Sequence, residues 1–179
     1  MKKTVLVLSL IAFTSVLFAQ TKKTTSATVA FDATTALDAL PKAENKTVIA
    51  EIDTKTGQVG FEAAVKNFAF TNPTIQSHFN EERWLNSDKY PAFTFMGKIT
   101  DVTKYNFSKN GVYNVTVTGQ MTIKDKTNNV TAPATIEVKN GALTATASFT
   151  IVLADYGVQV GNSGKIAGEP KITVSAELK

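Results

Sequence analysis

Cysteine is absent from the 179 residues, and histidine occurs once, at His78. Without cysteine there are no disulfides, no thiol catalysis and no cysteine-based zinc sites. About 160 residues beyond an N-terminal leader suffice for one hydrophobic core without covalent staples. A lone histidine leaves a transition metal only carboxylates as further ligands, a poor set for zinc. Ser77 or Ser148 with His78 and Asp155 makes a Ser-His-Asp set on paper. Neither serine sits in a nucleophile-elbow sequence, and a catalytic histidine needs such a partner. His78 is expected to bond to backbone or to cap one end of the fold. No catalytic residue, metal site or cofactor is predicted.

Excess charge of one sign is also scarce. The formal charge is +4, and without residues 1–19 it is +2, from 17 basic and 15 acidic side chains. So weak a field gives no reason to expect nucleic acid as a partner. Long apolar runs are missing except at the start. Lys2 and Lys3 precede an apolar run over residues 4–18, and Leu17-Phe18-Ala19 offers a cleavage site before Gln20. This is the pattern of a secretory signal peptide over residues 1–19. The run is shorter than the roughly 20 residues a membrane span needs, and no cysteine is available for a lipoprotein anchor. Residues 20–179 are expected to form one exported domain with no stable membrane span.

Period-two alternation fills most of that domain and signals strands with one buried face. It predicts strands over residues 27–31, 48–53, 59–65, 93–99, 113–124, 130–138, 143–153 and 172–178. Lys55-Thr56-Gly57 and Asp125-Lys126-Thr127 read as turns, and Asn140-Gly141 as a tight hairpin whose central residues take positive φ. The hairpin-length links make the strands antiparallel, with Thr-rich faces toward water. Pro133, on an outer face, implies an edge or a bulge. Residues 73–88 break the alternation: Ile75, Phe79, Glu82 and Arg83 have helical spacing behind Pro73, which fits a first turn. Residues 33–42 read as either a helical turn or a loop. Residues 161–170 form a Gly-rich loop between strands, whereas a phosphate loop opens a helix. Lys22-Lys23 reads as a solvated, frayed end. The fold class is all-β: an eight-stranded antiparallel β-barrel with one short helix.

The interior of an eight-stranded barrel is either filled by side chains or holds one small ligand. Many inward positions are small: Ala50, Ala63, Gly97, Gly119, Ala132, Ala134, Ala145 and Ala147. If they cluster, they leave a lumen lined by Phe61, Phe93, Phe95, Met121 and Phe149; if they alternate with large residues to suit the barrel's taper, the interior is full. Gly119, Ala147 and those five residues are the candidate ligand-binding set. An inward face with almost no charge calls for an apolar ligand, its polar end near a mouth by Tyr113, Asn67 or Asn72. Trp84 is expected to pack the helix onto the barrel end.

Three stretches carry a resemblance. Residues 77–95 run Ser-His-Phe-Asn-Glu-Glu-Arg-Trp-Leu-Asn-Ser-Asp-Lys-Tyr-Pro-Ala-Phe-Thr-Phe, a histidine leading through a short helix to a Lys-Tyr-Pro-x-x-x-Phe strand. Gly119-Gln120-Met121-Thr122-Ile123-Lys124 and Leu153-Ala154-Asp155-Tyr156-Gly157-Val158 follow in order. Together they resemble the YceI-like polyisoprenoid-binding family. Many members have arginine where this chain has Ala154, and glycine where it has Asp125. The resemblance implies a lipocalin-like barrel, in the bacterial periplasm or secreted, that binds or transports an isoprenoid or similar amphiphilic lipid without catalysis. The competing readings are a structural or adhesion module with a filled core, and an enzyme centred on His78. The sequence does not fix the oligomeric state, a homodimer included.

Overall fold

The computed structural model describes residues 20–179, so the segment read as a signal peptide lies outside the described residues. Nine strands run β1 (Thr21–Asp32), β2 (Lys42–Asp53), β3 (Gln58–Ala64), β4 (Ala69–Phe70), β5 (Ala92–Ile99), β6 (Gly111–Ile123), β7 (Lys126–Lys139), β8 (Ala142–Thr150) and β9 (Lys171–Leu178), with one helix, α1 (Pro73–Asn80). Eight of them close into an antiparallel ring in the order β1-β9-β8-β7-β6-β5-β3-β2, with β2 returning to β1. The ninth, β4, is a two-residue patch on β2. The eight-stranded barrel read from the alternation is therefore the fold.

Two of the predicted hairpins sit where their turn chemistry requires. Asn140 and Gly141 take φ of 52° and 81°, matching the right-handed twist of β7 and β8. Gly57, at φ 76°, ends the turn after β2, where Asp53 accepts hydrogen bonds from the backbone of Lys55 and Thr56. The turn expected at residues 125–127 lies slightly earlier. Ile123 pairs with Lys126, so Lys124 and Asp125 form the loop and β7 has already begun.

Three boundaries differ more. Lys22 and Lys23 are not frayed: β1 starts at Thr21, pairs Lys22 with Ile52, and exchanges backbone hydrogen bonds between Lys23 and Lys179. Ladder pairing supplies there what side-chain alternation does not. The first half of β2 is hidden because one of its two inward residues, Asn45, is buried and polar. Asn45 stands where the edge of β2 passes from β4 to β3. Its Nδ2 donates to the Ala64 carbonyl at 2.9 Å, and its Oδ1 accepts from the amide and hydroxyl of Thr47, each at 2.9 Å. At the other end of the chain, β8 stops at Thr150, and Leu153 opens a 3-10 turn over Leu153–Tyr156.

The helix begins as read, with Pro73 in its first turn and the Asn72 side chain accepting from the amides of Thr74 and Ile75. It ends at Asn80, because Glu81 is extended, and tight turns through a positive-φ Asn86 carry the chain to β5. Residues 33–41, undecided in sequence, form a loop pinned by Ala33 to Pro41 and by the Thr35–Asp38 bridge. Among the described residues no helix is long and apolar enough to cross a membrane.

Candidate functional site

The inward faces line a cavity of about 150 Å³. No residue lining it is charged, and Thr94 and Thr146 are the only ones carrying a hydroxyl. The small residues do cluster: Ala63, Ala132, Ala134, Ala145 and Ala147 all lie on the wall, on β3, β7 and β8. Their missing bulk is the volume of the cavity.

Phe61, Phe93, Phe95, Met121, Ala147 and Phe149 line this space, from β3, β5, β6 and β8. Gly119 does not. It pairs with Gly97 across β6 and β5, and a Cβ built on it would meet Gly97 Cα at 2.4 Å and the Phe95 ring at 2.7 Å. The two glycines let the strands and the Phe95 ring approach closely, so the space above them is already used. Gly97 and Ala50 also stand outside the lining.

Aromatic side chains stand over both ends. At the α1 end, Phe31, Phe68, Phe70, Phe79, Phe93 and Trp84 form one aromatic cluster, with ring centroids 4.8–6.5 Å apart. Phe79, Trp84 and Leu85 face the cavity, so the segment after β4 is its cover. Trp84 packs this cover onto the barrel. At the opposite end Phe107 is buried between Tyr105 and Tyr113, with ring centroids at 5.8 and 5.2 Å. Val138, Leu143 and Leu178 fill that end and lie outside the lining.

The polar residues expected at a mouth are committed elsewhere. Tyr113 donates its hydroxyl to the carbonyls of Asn106 and Lys109, Asn67 donates to Thr47, and Asn72 caps α1. His78 neither bonds to backbone nor caps the end. Its side chain is 49% exposed, 4.0 Å from a carboxylate oxygen of Glu81, and outside the cavity. Ser148 lies on β8 and Asp155 in the 3-10 turn, whereas Ser77 and His78 lie on α1. Among the described residues no group of His, Asp or Glu is arranged to hold a metal ion. Burial pushes the Tyr156 phenol above its ordinary range.

The YceI-like domain matches residues 9–178 of the sequence. The chain belongs to the YceI-like family. No curated protein compared with it matches. Among solved structures it is similar to a polyisoprenoid-binding domain from Saccharophagus degradans, at 9% identity, TM-score 0.74, and coverage of 89% of this chain and 98% of that one. It is also similar to BcnA of Burkholderia cenocepacia, at 20% identity, TM-score 0.67, and coverage of 86% and 96%. The YCEI protein of Campylobacter jejuni aligns at 15% identity and TM-score 0.57, over 73% of this chain and 78% of that one. At these identities the likeness shows a common fold.

Within this YceI-like barrel the three stretches that carried the resemblance surround the cavity. Residues 77–95 supply the cover and the start of β5. Residues 119–124 bring Met121 to the wall, and residues 153–158 lay Leu153 and Val158 against the same space. Sequence reading missed Leu85, Val158 and Ile172 as lining residues. Only Ile172 lay on a predicted strand, where its inward parity marked it.

Proposed function

We propose that this YceI-like protein binds one isoprenoid or similar amphiphilic lipid in the barrel lumen, as a carrier that performs no chemistry on it. The observation that carries this reading is an uncharged, apolar cavity inside a barrel that eight strands could have filled. Left empty, about 150 Å³ costs on the order of 4 kcal/mol at about 24 cal/mol per Å³. An apolar guest recovers much of that, and a charged or strongly polar one does not, because the wall has no charged group and only two hydroxyl-bearing residues to pair with it.

Phe61, Phe93, Phe95, Met121, Ala147 and Phe149 hold the guest in this reading, with Gly119 acting indirectly by seating Phe95. The family, and a structural neighbour described as polyisoprenoid-binding, support binding over catalysis. The same reading has residues 1–19 as the export signal and residues 20–179 as one domain working in the periplasm or outside the cell. Mass spectrometry of an organic extract of natively purified protein tests it. An apolar molecule near one equivalent is the expected result, and repeatedly empty protein overturns it.

A further inference from the structure

Between β7 and β8 the barrel wall has an unpaired seam. Strands β7 and β8 pair only from Ala134–Ala147 to Lys139–Ala142, at the end with the Asn140-Gly141 turn. Beyond Ala134, residues 126–133 of β7 continue to pair with β6, and residues 148–150 of β8 continue to pair with β9, but not with each other. Pairing stops one residue short of Pro133, which has no N–H to offer a neighbour. Val130 and Ala132 on one lip and Phe149 on the other face the cavity. The seam therefore opens on the lumen.

What covers it is the chain just after β8. Leu153 and Val158 lie against the cavity, and the 3-10 turn between them crosses toward β7. This plug is tied back to β9's side by Leu153, whose amide donates to Gly168. Among the described residues no backbone hydrogen bond joins it to β7. The tie there is a side chain: Asn128 Nδ2 donates to the Asp155 carbonyl at 3.1 Å. Leu153, Tyr156 and Val158 are buried, so apolar packing and local bonds hold the plug, and no strand pairing has to break for it to lift.

The geometry points to this seam as the ligand's doorway, with residues 153–158 as its gate and Asn128 as the latch. An amphiphile enters chain-first between β7 and β8, and the gate closes behind it. The two barrel ends are poorer routes, since one requires breaking the six-ring aromatic cover and the other the Phe107 stopper. The inference rests on the lumenal binding proposed above and adds its route.

Loading and release of an apolar fluorophore such as 1-aminoanthracene, followed by stopped flow, test the doorway. Loss of one hydrogen bond in Asn128→Ala should speed both rates about fivefold and leave the affinity unchanged. A protein carrying Asn128→Cys and Asp155→Cys, joined by a short bis-maleimide, should load and release at least about tenfold more slowly than the same protein unjoined. The sequence has no other thiol to confuse the product. Joining Lys66→Cys to Asp88→Cys, beside the aromatic cover, should leave both rates as they were. Unchanged rates in the joined 128–155 protein, with equilibrium binding intact, overturn the doorway alone, as does slowing only by the 66–88 link. A fluorophore that binds none of these proteins, the parent included, overturns lumenal binding itself.

Discussion

Gly97 and Gly119 face each other across β5 and β6 with the ring of Phe95 laid over both, so that a Cβ on either would strike the ring at 2.7 Å. On Gly119 the same atom would also meet the Met96 carbonyl oxygen at 2.5 Å. Neither backbone contact is the end of a flexible side chain. Gly119→Ala should therefore cost about 3 kcal/mol or more, with the melting temperature falling by about 6–12 °C. From the alternation alone, Gly119→Phe looks like a plug that leaves the fold intact. The structure predicts instead that it unfolds the barrel, and a cooperative melt at the parent's temperature would contradict that.

Ala147→Phe is the plug that should work. Ala147 lines the cavity on β8, so a ring added there has about 150 Å³ to enter. The expected variant keeps the parent's circular dichroism and loses apolar-probe binding. Intact binding would take Ala147 off the ligand's path, and unfolding would show that the wall cannot yield.

Phe79 is the centre of the cover. It contacts Phe70 at 4.8 Å, Phe68 at 5.8 Å, Phe31 at 6.0 Å and Trp84 at 6.5 Å between ring centroids. Phe79→Ala should lose about 3–5 kcal/mol in chemical denaturation, and Phe79→Leu less than about 2. A loss under about 1 kcal/mol for the alanine variant would show that α1 packs only loosely on the barrel.

Acid should weaken two turns. The Thr34 hydroxyl and amide hold the Asp32 carboxyl below its usual value of 3.8, and the Thr56 amide chiefly does so for Asp53. A depressed carboxyl contributes stability that is present above pH 3.8 and is lost as the pH falls through the lower folded value. Both groups are solvated, so each contributes less than about 1 kcal/mol. Asp53→Ala and Asp32→Ala should each melt about 1–3 °C below the parent at neutral pH. The gap should close as the pH drops below 3.8. A gap that persists at the acid end would mean the turns are not held by the ionised carboxylates.

The ring of eight strands was legible because one face of each strand is buried, which writes apolar alternation into the chain. Where that link breaks, legibility goes with it. Lys22 and Lys23 belong to a strand whose partners supply hydrogen bonds but little apolar cover, and Asn45 is a buried polar residue that interrupts the pattern. The two-residue β4 is too short for any period. In the candidate site, Phe61, Phe93, Phe95, Met121, Ala147 and Phe149 were readable from parity alone. Gly119 shares their parity, but what fills the space above it depends on the neighbouring strand. The β7–β8 seam left a single trace, Pro133 on an outer face. Its extent is set by strand register, which one strand's sequence does not carry.

Met121 and Met96 allow the most direct test of lumenal binding. Met121 lines the cavity, and Met96, on the adjacent strand, is 65% exposed on the outer face. With ¹³C-labelled methionine methyl groups, titration of an apolar ligand into delipidated protein should shift the Met121 signal in a saturable way and leave Met96 in place. A shift at Met96 with Met121 unmoved would put the ligand on the outside of the barrel and contradict the account.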